Sequence, residues 1–137
     1  MRHEDVIEVL NDPLAQELLH SSIPARLAYT GTDGFPRVVP VGFYWDGAQL
    51  IVGTTPAAPK VRALAANSKV ALTIDTNTQP PHVLLVRGST SIEVVNGVAP
   101  EYLEGAKKLV DEEQWQAFEA RVREMYEQMA MLTIVPE

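Results

Sequence analysis

Two stretches of the chain hold residue types whose spacing suits binding chemistry. The first is Thr54-Thr55-Pro56-Ala57-Ala58-Pro59-Lys60-Val61-Arg62. A helix that satisfies its own start places Ser, Asp or Asn at the cap and acids in the first turn. Here Ala58 stands at the cap beside Pro59, and Lys60 and Arg62 follow where the helix dipole disfavours positive charge. Free backbone N–H groups, two cations and the hydroxyls of Thr54 and Thr55 are what an anion needs, phosphate above all. The same residues also fit an ordinary helix start one turn earlier, capped by Thr55 with Pro56 at its first position.

The second stretch is Arg37-Val38-Val39-Pro40-Val41-Gly42-Phe43-Tyr44-Trp45. Its alternation reads as a strand with Val39, Val41, Phe43 and Trp45 on one face and Val38, Pro40, Gly42 and Tyr44 on the other. Pro and Gly close together remove a donor and a side chain. Such a place is an edge, a bulge, or a site where something flat approaches the backbone. On these residues alone a plain edge strand with a solvent-facing Arg37 is the favoured account, since Pro so often marks edges.

Other chemistry is absent. There is no Gly-x-Gly-x-x-Gly, no phosphate loop ending in Gly-Lys-Ser/Thr and no His-Glu-x-x-His. The Gly-x-Ser-x-Gly elbow of the α/β-hydrolases is missing too. His3, His20 and His82 are scattered, so no metal site is expected. Asp111-Glu112-Glu113 suits a helix N-terminus, where acids complement the macrodipole. With no side-chain set for catalysis, any reactive group is expected to come from a cofactor.

The elements that must carry these stretches follow from periodicity. Residues 1–24 read as helical, with Asp12 capping and Pro13 at the first helical position. From Ala25 the period changes to two: 25–30 is a strand, and Asp33-Gly34 is a hairpin signal. Strands follow over 37–45, 48–54, 69–76 and 83–95, with a short helix at 60–66. Leu84, Val86, Thr90, Ile92 and Val94 share a face. Residues 99–129 read as helical, with Asp111 and Gln114 as a capping pair and a stripe of Trp115, Phe118, Val122, Met125 and Met129. A last strand spans 132–135. The expected fold is mainly β (α+β), a six-stranded antiparallel split barrel with flanking helices, since closure removes exposed edges.

The 137 residues suit one domain, 1–137. With 11 Lys+Arg against 18 Asp+Glu the net charge is −7, which disfavours a nucleic-acid groove. The absence of cysteine excludes disulfides, thiolate nucleophiles and iron–sulfur clusters. No apolar run is long enough to span a membrane, and the acidic start Met1-Arg2-His3-Glu4-Asp5 lacks the apolar stretch of a signal peptide, so a cytoplasmic location is expected.

In order and spacing, Ala25-Arg26-Leu27-Ala28-Tyr29, Gly34 to Val41, Thr54 to Arg62 and Lys69 to Asp75 resemble the FMN-binding split-barrel superfamily. This is the group of pyridoxamine-phosphate-oxidase-like proteins and deazaflavin-dependent reductases. The resemblance implies a homodimer with cofactor sites at the subunit interface, holding FMN or coenzyme F420. It places Arg37, Val38, Val39, Pro40 and Val41 against the ring, Thr54, Thr55 and Lys60 on the phosphate, and Arg62 beside them. It implies an oxidoreductase acting on a small molecule, or alternatively a non-catalytic flavin or haem storage protein. Two departures separate the chain from true pyridoxamine-phosphate oxidases. Pro59-Lys60 replaces their Arg-Lys pair, and their late Arg-x-His element is missing, since no Arg follows Arg123.

Overall fold

Alternation along Ala25–Thr30 (β1) buries Ala25, Leu27 and Tyr29 and turns Arg26 outward, which requires a sheet with one filled face. The computed structural model, covering Met1–Glu137, shows that sheet curled around its filled face. The Asp33-Gly34 hairpin, with Gly34 at φ 86°, returns the chain as Pro36–Val41 (β2), antiparallel to β1 with Ala25 opposite Val41. After Gly42 and Phe43 come Tyr44–Trp45 (β3) and then Leu50–Thr54 (β4). Lys69–Asp75 (β5), Val83–Asn96 (β6) and Gln128–Pro136 (β7) complete seven strands in the order β2-β1-β5-β6-β7-β4-β3. The two ends of this sheet are β2 and β3, consecutive in sequence and separated by two residues, so the sheet curls round to bring its ends near each other, with no ladder between them. This is the expected antiparallel split barrel. Its count is seven strands where six were expected, because 37–45 breaks at Gly42-Phe43, where a single strand cannot serve both edges.

The barrel interior is filled by Leu27, Leu50, Leu72, Ile74, Leu132 and Ile134. His3–Leu10 (α1) and Pro13–Leu19 (α2) add Val6, Leu10, Leu18 and Leu19, and Pro59–Ala66 (α3) adds Ala63 and Leu64. A smaller cluster of Ala99, Met129 and Met131 packs with Val95, Tyr102 and Tyr126. Pro100–Ala106 (α4) and Trp115–Met125 (α5), joined through a 3₁₀ turn at Glu112–Gln114, cover this side.

Two local expectations need correction here. The helical stripe stops at Met125, which is exposed; Met129 lies in β7, which begins at Gln128 rather than Leu132. Pairing of Gln128–Met131 with Asn96–Glu93 outweighs the helix propensity of those residues. Asp111 makes no side-chain cap; its carbonyl accepts the Gln114 N–H at 2.9 Å instead. Val94 keeps the expected face of β6 and is 51% exposed, because β6 runs past the barrel interior after Ile92.

Candidate functional site

A cleft of about 340 Å³ lies where α4 and α5 meet the β2–β4 side of the barrel. Two glycines let α4 come this close. A side chain at Gly53 would lie 2.8 Å from the Tyr102 ring, and one at Gly105 would lie 2.9 Å from the Phe43 carbonyl oxygen. Pro40, Val41 and Gly42 of the edge strand line one part of the cleft. Tyr44, Ile51 and Gly53 line another, with Tyr102, Leu109, Phe118 and Tyr126 from the helical side. Lys60 and Glu101 are its two charged residues.

Lys60 arrives there because α3 starts as its sequence demands. Ala58 is the N-cap and makes no side-chain hydrogen bond, Pro59 opens the helix, and no acid occupies the first turn. The alternative start at Thr55-Pro56 is not used. Thr55 to Ala58 forms a turn in which the Ala58 N–H donates to the Thr55 carbonyl at 3.1 Å. Lys60 is half-buried, Arg62 exposed, and neither forms an ion pair. Thr54 is buried at the end of β4, paired with Ala130 across the sheet, and Thr55 is exposed.

The edge strand divides. Pro40 and Val41 line the cleft, whereas Val39 packs against the core and Val38 is 66% exposed. Arg37 is held at the hairpin: its Nη2 donates to Asp33 Oδ2 at 2.8 Å, and its guanidinium lies over Gly31. The Phe35 N–H donating to the Asp33 carboxylate, with Arg37 beside it, lowers the Asp33 pKa. Of the nine residues expected at the site, the cleft brings together Pro40, Val41 and Lys60. Arg37, Val38, Val39, Thr54, Thr55 and Arg62 are not among its lining.

The residues that sequence reading missed are those of the helical side, Glu101, Tyr102 and Leu109 above all. Their one signal was the pair Gly53 and Gly105, small residues inside a strand and a helix, where each costs stability unless something packs close. Burial, and then the neighbouring Tyr126, raises the Tyr102 pKa, and the two rings sit 6.0 Å apart. Lys108 places its ammonium 3.9 Å from the Phe43 ring centroid, and burial lowers its pKa. No histidine lines the cleft. The arrangement can seat a flat apolar body and hold one anionic group, and it offers no nucleophile with a base beside it.

The family profile described as pyridoxamine 5'-phosphate oxidase matches residues 12–134. Among solved structures the chain is similar to an F420 reductase, with 23% identity, a TM-score of 0.66, and coverage of 89% of this chain and 92% of that one. It is also similar to HutZ, the heme storage protein from Vibrio cholerae, at 16% identity and TM-score 0.65, covering 92% of this chain and 89% of that one. General Stress Protein 26 from Bacillus anthracis gives 17% identity and TM-score 0.63, covering 90% of this chain and 86% of that one. These likenesses show the fold. No curated protein matches the chain. No helix is long and apolar enough to cross a membrane.

Proposed function

We propose that this chain, which belongs to the pyridoxamine 5'-phosphate oxidase family, is a cytoplasmic oxidoreductase using FMN or coenzyme F420. Residues 1–137 act as one cofactor-binding unit, and the substrate is a small molecule. The observation that carries this reading is the cleft, where the Pro40–Gly42 edge segment meets an unpaired Lys60 at an uncapped helix start. When bound, the cofactor supplies the hydride or electrons.

The chain's own residues bind and orient. Lys60 holds the phosphate through a charge-assisted hydrogen bond, helped by the hydroxyls of Thr54 and Thr55 and by Arg62 at the same helix start. Pro40 and Val41 present the strand to the ring, and Val38 and Val39 continue that strand. Arg37 reaches the cofactor by leaving Asp33. The apolar wall keeps water from the ring. A homodimer completes the site: Phe35, Val38 and Leu85 are each about two-thirds exposed, and a second copy would cover them. Pro59-Lys60, in place of the Arg-Lys pair of true pyridoxamine-phosphate oxidases, argues against that activity.

The test is a fluorescence titration of cofactor-free protein with FMN and, separately, coenzyme F420. Saturation by one of them is expected, and saturation by neither overturns the reading. A non-catalytic binder is the second reading, favoured by the shared fold with HutZ. The cleft's lack of histidine weighs against haem, because it removes the commonest axial ligand. Turnover with an electron acceptor separates an enzyme from a store.

A further inference from the structure

We infer that the cleft selects its second ligand by charge: beside the cofactor it takes a planar organic cation, with Glu101 as counter-charge and the surrounding aromatic rings as its seat. This rests on the cofactor reading, because Lys60 is the cleft's one cation and a phosphate must neutralise it before another cation is welcome.

Glu101 is half-buried, lines the cleft and makes no ion pair or side-chain hydrogen bond. A carboxylate left free in a mostly apolar cleft favours a cation and repels an anion more strongly than one in open water. The same cleft is lined by Phe43, Tyr44, Tyr102, Phe118 and Tyr126, and the face of an aromatic ring is electronegative. The protein already seats a cation on one of these rings. The Lys108 ammonium lies 3.9 Å from the Phe43 centroid with no carboxylate in salt-bridge range. Glu101 does not pair with Lys60, although both line the same cleft, so neither is cancelled by the other within the chain. The net charge of −7 draws cations toward the protein as a whole. A phosphorylated or carboxylated substrate meets the opposite conditions throughout.

Calorimetric titration tests this in two steps. Wild-type protein is first saturated with FMN or coenzyme F420. It is then titrated with N-methylacridinium, with acridine at a pH where it is uncharged, and with acridine-9-carboxylate, which differ little in shape but differ in charge. The cation is expected to bind about tenfold more tightly than acridine, with the carboxylate weakest. Glu101→Gln should bring the cation and acridine together, and Glu101→Asp should keep the preference. Equal affinities in the wild type, or a preference that survives Glu101→Gln, overturn the inference. Failure of both cofactors in the first step overturns the proposed function separately. The same three probes on cofactor-free protein in saturating inorganic phosphate, which neutralises Lys60, then decide the charge selection: a preference erased by Glu101→Gln upholds it, and any other pattern overturns it.

Discussion

Helices α2 and α3 begin with the same element, a proline at the first helical position, and differ in the residue before it. At α2, Asp12 caps the helix and its Oδ1 accepts the Leu14 N–H at 2.9 Å. At α3, Ala58 leaves that role unfilled, and Lys60 and Arg62 follow where the dipole opposes them. A third start, α4, is also Ala-Pro and uncapped, but it carries Glu101 in its first turn and so matches its dipole. Only α3 lacks a cap and also carries the wrong charge for its own stability. The contrast separates a start built for folding from one where the Val61 N–H is met by the Ala58 carbonyl at 3.0 Å, while the Lys60 N–H and the two cations remain free for a ligand.

Several substitutions can break or sharpen that contrast. The largest effect belongs to Lys60→Ala, which should weaken FMN or F420 binding by about 1.5–3 kcal/mol, the scale of a charge-assisted hydrogen bond. Thermal stability should barely move, since Lys60 makes no ion pair. Ala58→Asp gives α3 the cap that α2 has. It should stabilise the fold by about 0.5–1 kcal/mol and weaken cofactor binding about tenfold, because the new carboxylate takes the free Lys60 N–H and repels phosphate. Asp12→Ala is the reciprocal change. It should cost about 1 kcal/mol in denaturant unfolding and leave cofactor affinity alone. A change in affinity there would show that the two helix starts are not functionally distinct.

The smallest effect concerns the hairpin that holds Arg37. The Asp33 pKa is lower in the folded state than its ordinary 3.8. The unfolded chain therefore binds more protons between the two values, and the stabilisation, present above the ordinary value, is lost as pH falls through the folded one. Asp33→Asn should flatten this acid limb slightly in pH-dependent unfolding. If Arg37 joins the cofactor as proposed, the same variant should also release it and leave FMN or F420 affinity equal or higher.

Local signals were legible where local physics decides. Period-two alternation gave β1 over Ala25–Thr30, Asp12-Pro13 gave the start of α2, and Asp33-Gly34 gave the first hairpin. The start of α3 was readable from Ala58, Pro59 and Lys60. What could not be read depends on distant partners. Gln128–Met131 favours helix by itself and becomes strand because β6 pairs along all of it and β4 flanks Ala130 and Met131. The break at Gly42-Phe43 arises because one segment must supply both edges of a closing sheet. The site was half legible for the same reason. Pro40, Val41 and Lys60 announce themselves by residue type, whereas Glu101 and Tyr102 join the cleft only because Gly53 and Gly105 let α4 settle against the strands.

The most direct test of the account is a paired fluorescence titration of cofactor-free wild type and Lys60→Ala with FMN and with coenzyme F420. The account predicts saturable binding of one cofactor to the wild type and a loss of about tenfold or more in the variant. Equal affinity of the two proteins, or no binding of either cofactor, would contradict it and reduce the α3 start to an ordinary, poorly capped helix.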